Sequence, residues 1–111
     1  MEKASRIRKN NQFRYVYRKG KTAGQQHVSL TYVRAGKLQV GFSVSKKVGK
    51  AVIRNRIKRR LREHFRHQIP NLKNGYYVFS AKVGASQANY HQLAADMDRL
   101  LTRMQLYKAG S

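Results

Sequence analysis

Two sets of residues in this chain could do chemistry. One is a dense row of cations between Lys46 and Arg66. The other is a sparse scatter of carboxylates and imidazoles. The carboxylates are Glu2, Glu63, Asp96 and Asp98. A protein nuclease needs carboxylates gathered around a metal ion, or a matched acid–base pair. Glu2 and Glu63 fall in separate segments, and Asp96 and Asp98 are i, i+2 on a helical stretch, so those two face apart. His64 and His67 are i, i+3 and could meet on one helix face, but so short a motif does not specify a metal site. His27 and His91 stand apart, and the serines have no evident His–Asp relay. This scatter does not read as a self-sufficient catalyst.

The cationic row is the stronger signal. Lys46 to Arg66 holds ten of the 25 basic residues and one acid, Glu63. Gly49 is its last flexible point, and from Ala51 there is no Gly or Pro until Pro70, so a helix of four turns or more is predicted. At about 100° per residue, Ile53, Ile57, Leu61, His64 and Phe65 share one side, the spacing of a core stripe. Asn55, Lys58, Arg59, Arg62 and Arg66 share the opposite side, with Arg54, Arg56 and Arg60 on the flanks. Arg54, Lys58 and Arg62 form an i, i+4 row of like charge, which destabilises an isolated helix. A bound polyanion relieves that repulsion, whereas a merely solvated basic face does not.

The elements that must position this helix come from a single short chain. At 111 residues and 41% hydrophobic content it is one domain with a modest core. The formal net charge is +21. It is uneven: residues 1–66 carry a net +18 and residues 67–111 a net +3. Nucleic acid is the default partner for such a chain, met mainly by its first two thirds. There is no cysteine, which excludes a disulfide frame and a zinc finger. No apolar run is long enough to span a membrane and no signal peptide opens the chain, so a soluble, cytoplasmic protein is expected.

In chain order, residues 1–9 read as a basic arm that contacts phosphate. Asn10 or Asn11 is expected to cap a short helix ending before Gly20. Phe13, Val16 and Tyr17 share one face of it, and spacing alone favours core for all three. Lys19 to Gln26 reads as a loop. His27 to Val33 reads as a strand with Val28, Leu30 and Tyr32 on one face and Ser29, Thr31 and Val33 on the other. Arg34 to Lys37 reads as a hairpin turn into a strand whose Leu38, Val40, Phe42 and Val44 alternate with Gln39, Gly41, Ser43 and Ser45. Its small second face suits either the close approach of an RNA backbone or a covering helix. Pro70 to Gly75 is a loop, and Tyr76 to Val83 a buried strand. Ser86 is expected to cap a last helix with an apolar stripe of Tyr90, Leu93, Ala94, Met97, Leu100, Leu101 and Met104. Helix, strand, strand, helix, strand, helix gives an α/β fold with a small mixed sheet and about three helices.

The stretch Gly49-Lys50-Ala51-Val52-Ile53-Arg54-Asn55-Arg56-Ile57-Lys58-Arg59-Arg60-Leu61-Arg62-Glu63 resembles the signature of the bacterial ribonuclease P protein subunit, Gly-x-Ala-Val-x-Arg-Asn-x-x-Lys-Arg-x-x-Arg-Glu, at every fixed position. Val44 to Lys47 and the Phe13-x-x-Val16-Tyr17-x-x-Gly20 segment are similar to that family too. The family commonly has an aromatic where this chain has Thr31, and here the aromatic is next door at Tyr32, on the opposite strand face. The resemblance implies a ribosomal-protein-like fold whose β-α-β crossover is left-handed, against the usual right-handed rule. It implies that the partners are ribonuclease P RNA, which carries the catalysis, and precursor tRNA, whose 5′ leader is removed by magnesium-dependent hydrolysis. Magnesium is then held mainly by RNA, and the protein is a monomer per RNA. On this basis Lys47, Lys50, Arg54, Arg56, Lys58, Arg59, Arg62 and Arg66 are expected to contact the catalytic RNA. Phe13, Tyr17, Lys46, Arg54 and Asn55 are expected to contact the leader, the aromatics because any base can stack on them. Asn55 both donates and accepts, which suits a base edge, a 2′-hydroxyl or a metal-bound water.

Two other readings fit the charge. A ribosomal or general structural RNA-binding protein matches charge and size but leaves the full signature unexplained. A DNA-compacting protein could lay the basic helix in a major groove, but dimer heptads and a recognition-helix pair are absent.

Overall fold

The strand that organises the molecule is the most apolar one. The computed structural model describes residues 6–109. Residues 1–5, half of the predicted basic arm, lie outside the described residues. Four strands, Lys21–Gly24 (β1), Val28–Val33 (β2), Leu38–Ser43 (β3) and Gly75–Ala81 (β4), form one sheet in the order β1-β2-β4-β3. β4 pairs antiparallel with β2 and parallel with β3. Its Tyr77, Val78 and Phe79 are fully buried, as a central strand covered on both faces requires.

Three helices pack on this sheet: Asn10–Lys19 (α1), Ala51–Gln68 (α2) and Tyr90–Arg103 (α3). The main core lies between the sheet and α2 and α3. Leu30, Tyr77 and Phe79 meet Ile57, Leu61 and Phe65 of α2 and Leu93, Met97, Leu100 and Leu101 of α3. The ring of Phe65 sits 5.4 Å from both Tyr77 and Phe79. A smaller core of Ile7, Val16 and Val78 lies on the other face, beneath α1, with Phe13, Val33 and Tyr76 packed against it. The fold class and the apolar stripes of α2 and α3 agree with the sequence reading.

Several local expectations do not hold. Arg34 to Lys37 is not a hairpin turn: β4 stands between β2 and β3, so this segment crosses the end of β4. Inserting β4 there gives the most apolar strand a neighbour on each side. Lys21–Gly24, read as loop, is a four-residue edge strand with Thr22 opposite Thr31. Its lysine and glycine obscure the alternation, as is common at protected edges. The α3 cap is Asn89, not Ser86, which lies in a 3-10 turn. Asn89 accepts from Gln92 N–H and Gln92 Oε1 accepts from Asn89 N–H, both at 2.9 Å, a reciprocal capping box. At α1 the N-cap is Lys9, which makes no side-chain cap bond, and Asn10 and Asn11 lie inside the first turn.

Candidate nucleic-acid interface

Lys46–Val48 forms a 3-10 turn after β3, and α2 begins at Ala51. Arg54 Nε donates to the Gly49 carbonyl at 3.1 Å, tying the helix start to that turn. On the far flank Arg60 Nη1 donates to the Ala88 carbonyl at 3.2 Å, so this arginine joins α2 to the segment before α3. Between these anchors Lys50, Asn55, Arg56, Arg59 and Arg66 are exposed, as are Lys46 and Lys47 on the turn. Arg66 shares its charge with Glu63 through a 2.5 Å ion pair one turn back. The outward face of α2 is therefore an almost unbroken cationic row.

Lys58 and Arg62 are only half exposed, because they lean toward the N-terminal segment. With Arg6, Ile7, Arg8, Phe13 and Val40 to Phe42 they line a groove of about 430 Å³. The N-terminal segment is fixed there by Arg6 bridging to Val40 and by Ile7 N–H donating to Val40 O at 2.8 Å. The floor at Gly41 is bare backbone. A Cβ there would lie 2.7 Å from two ring carbons of Phe13 and 3.2 Å from Ile7 Cβ. Glycine thus lets the Phe13 ring rest directly on β3, with two cations on either side and no carboxylate among the described residues of the lining. Such a groove can take an aromatic base on a ring and phosphates on its walls.

The three residues of the α1 face part company. Val16 is fully buried, Phe13 is half-buried in the groove wall, and Tyr17 is 46% exposed. The Tyr17 hydroxyl lies 2.9 Å from Ser80 Oγ on β4, whose sheet partner is Ser43. Gly41 is covered by a helix residue while Ser43 stays half-exposed, so the small second face of β3 is partly covered and partly open. Thr31 is buried on the α1 side and bonds Thr22 across the strands at 2.9 Å. Tyr32 lies on the other face, packed edge-on against Tyr77, as its parity predicts.

The carboxylates among the described residues are all engaged elsewhere. Asp96 is buried and accepts from the His27 backbone N–H at 2.7 Å, with His27 Nδ1 at 3.1 Å. Asp98 meets His64 Nε2 at 2.7 Å, joining α3 to α2. Glu63 holds Arg66 and faces His67 at 3.6 Å. His64 and His67 therefore turn to different partners. No three His, Asp or Glu side chains gather as a metal site among the described residues.

Comparison with known proteins gives the family and the fold. The sequence model of the family described as Ribonuclease P matches residues 1–105. The chain belongs to that family. It is 41% identical over 111 residues to the ribonuclease P protein component of Caldanaerobacter subterraneus subsp. tengcongensis, covering 96% of this chain and 95% of that protein. Against the component from Clostridium botulinum strain Langeland it is 40% identical over 110 residues, covering 95% and 98%. The solved ribonuclease P protein of Staphylococcus aureus superposes with a TM-score of 0.89 at 28% identity, over 96% of this chain and all of the other.

Within this family member the residues assigned to two RNAs from sequence are distributed differently in space. Of the leader set, Phe13 alone lines the groove; Tyr17 sits beside Ser80, and Lys46, Arg54 and Asn55 lie outside the lining. Lys58 and Arg62, assigned to the catalytic RNA, share the groove with Phe13. Lys47, Lys50, Arg56 and Arg59 remain on the outward face. Arg6 and Arg8 were visible only as part of a basic arm. The i, i+4 row Arg54–Lys58–Arg62 was the available signal that one flank of α2 faces a neighbour.

Proposed function

We propose that this chain is the RNA-binding subunit of ribonuclease P, acting in tRNA 5′ maturation as a partner of a catalytic RNA. The observation that supports it most is the Phe13 groove, flanked by Arg6, Arg8, Lys58 and Arg62 and continuous with the cationic face of α2. In this reading Lys47, Lys50, Arg56 and Arg59 neutralise phosphates of the catalytic RNA. The Phe13 ring stacks on a base of the single-stranded 5′ leader, Tyr17 offers a second ring, and Lys58 and Arg62 hold leader phosphates. Asn55, exposed among arginines, contacts a base edge or a 2′-hydroxyl. The protein thereby orders the leader and offsets its charge while the RNA carries the cleavage.

Among the described residues no carboxylates gather as a magnesium site. Magnesium, which polarises the phosphodiester and activates water, belongs in this reading to RNA phosphates. A cytoplasmic monomer bound once per RNA completes the proposal.

The test adds the purified protein to the catalytic RNA and a labelled precursor tRNA at low magnesium. Stimulated cleavage at the mature 5′ end is expected. The protein with magnesium but no RNA should cleave nothing. Binding without any effect on cleavage would instead favour a purely structural RNA-binding role, and reproducible cleavage by RNA-free protein would end the division of labour.

A further inference from the structure

The end of the sheet at which β1 and β4 begin carries a larger cavity, of about 1250 Å³. β2 ends there too, whereas the groove lies over β3. The cavity is walled by the entry to β1, the segment between β2 and β3, the residues before β4, and the end of α3 with the chain that follows it.

Six cations line it: Lys19, Lys21, Arg34, Lys73, Arg103 and Lys108. All six are exposed, no carboxylate is in the lining, and none of the six forms an ion pair among the described residues. Arg103 has a local reason to be there, since a cation suits the C-terminal end of a helix. Lys19, the last residue of α1, has the same reason; the other four come from four separate segments, and their convergence raises self-repulsion that a bound anion relieves. The Tyr32 side chain is part of the lining; burial raises its phenol pKa, and the nearby Arg34 opposes that shift.

One further feature marks the rim. The helix ends in a Schellman motif: Leu106 N–H donates to Leu101 O and Gln105 N–H to Thr102 O, each at 3.0 Å. Gln105 takes the left-handed position, φ +58°, where glycine is the favoured residue. A glutamine there keeps a donor–acceptor amide on the cavity lining against the backbone preference. The volume exceeds that of most single small-ligand sites, roughly 300–1,000 Å³. An open basin ringed by cations from several loops suits a chain of phosphates better than one anion.

We propose that this cavity is a second RNA-backbone site, so that the protein bridges two RNA segments across its sheet. The proposal rests on the RNA-binding reading above. The second segment comes either from the catalytic RNA or from the tRNA body; both present the same phosphates.

The test uses the full chain assembled with catalytic RNA, with and without mature tRNA. The chain has no cysteine, so a single introduced thiol carries a photocrosslinker uniquely. Gly36→Cys is sterically free, because nothing lies within 4 Å of a Cβ there; Val52→Cys on α2, 73% exposed, is the control. From position 36 we expect crosslinks to nucleotides not reached from position 52; crosslinks on catalytic RNA or on tRNA identify the source. The triple variant Lys21→Gln, Arg34→Gln, Arg103→Gln should flatten the log affinity–log salt slope for that RNA by about 2–3, close to one for each phosphate no longer neutralised. Crosslinking from position 52 but none to RNA from position 36, with the slope unchanged, overturns the proposal and leaves the cavity to a non-RNA partner. If position 52 also fails to crosslink, and Arg59→Gln with Arg62→Gln leaves the slope unchanged, it is the RNA-binding reading that falls.

Discussion

Gly41→Ala tests whether the Phe13 ring is held where the groove needs it. The new methyl would stand 2.7 Å from two ring carbons, whereas ordinary contact begins at 3.4 Å. The ring must retreat by about 0.7 Å, or the backbone of β3 must shift. Overpacking of this kind costs roughly 1–3 kcal/mol, and replacing a strand glycine by alanine returns about 0.5–1 kcal/mol. The net is a loss near 1 kcal/mol, a fall in Tm of about 4 °C for a domain of this size. Binding should change more selectively. A displaced ring forfeits part of a stack of roughly 1–3 kcal/mol, so affinity for precursor tRNA should drop by up to about 5- to 150-fold, while mature tRNA binds as before. A double-mutant cycle isolates the contact. With Phe13→Ala in place the methyl meets no ring, so Gly41→Ala should become neutral or stabilising, with a coupling of about 0.5–3 kcal/mol. Equal effects of Gly41→Ala on the two backgrounds, or equal loss of precursor and mature tRNA, would refute the reasoning.

Tyr17→Ala should change stability by less than about 1 kcal/mol, since it loses one exposed hydrogen bond to Ser80; precursor affinity should fall by roughly 1–3 kcal/mol if its ring stacks on a base, as read by filter binding with and without the leader. Gln105→Gly relieves a left-handed residue at the α3 C-terminus and should stabilise the protein by about 0.5–1 kcal/mol in chemical denaturation. Salt should act with opposite signs on folding and binding: screening the self-repulsion of a +21 chain raises the Tm of the free protein between about 50 and 300 mM salt, while RNA affinity falls log-linearly. A Tm that falls over that range would show that the arginine row is not frustrated.

The parts of the fold that were legible are those whose signal is periodic and local. The stripe Ile57, Leu61 and Phe65 announced the buried face of α2, and the strand parity of Thr31 and Tyr32 placed them on opposite sides of the sheet. Even the Asn89–Gln92 capping box was present as a sequence spacing, although Ser86 stood nearer the expected start. What failed was non-local. Nothing within Arg34 to Lys37 says that β4, some 40 residues on, will separate β2 from β3, because strand order is decided by the crossover of α2 and by which strand most needs cover. The site behaved in the same way. Phe13 and Tyr17 are one helical turn apart and look equivalent, yet Gly41 beneath one and Ser80 beneath the other give them different surroundings. Lys58 and Arg62 looked like outward cations until the N-terminal segment, bridged to Val40, gave them a facing wall.

The placement of so few acids explains why the surface stays so basic. Asp96 and Asp98 are taken up by His27 and His64, contacts that fasten α3 to the start of β2 and to α2. Glu63 is taken up by Arg66, three residues on along α2. Among the described residues no carboxylate is left to neutralise Lys58, Arg62, Arg6 or Arg8, or the six cations of the larger cavity. The positive field is thus maintained by confining carboxylates to structural pairs, at a cost in self-repulsion that a bound polyanion removes. A ligand that binds only the folded state adds about 2.7 kcal/mol when present at a hundred times its Kd. The same cationic surfaces that weaken the isolated fold therefore couple its stability to assembly with RNA.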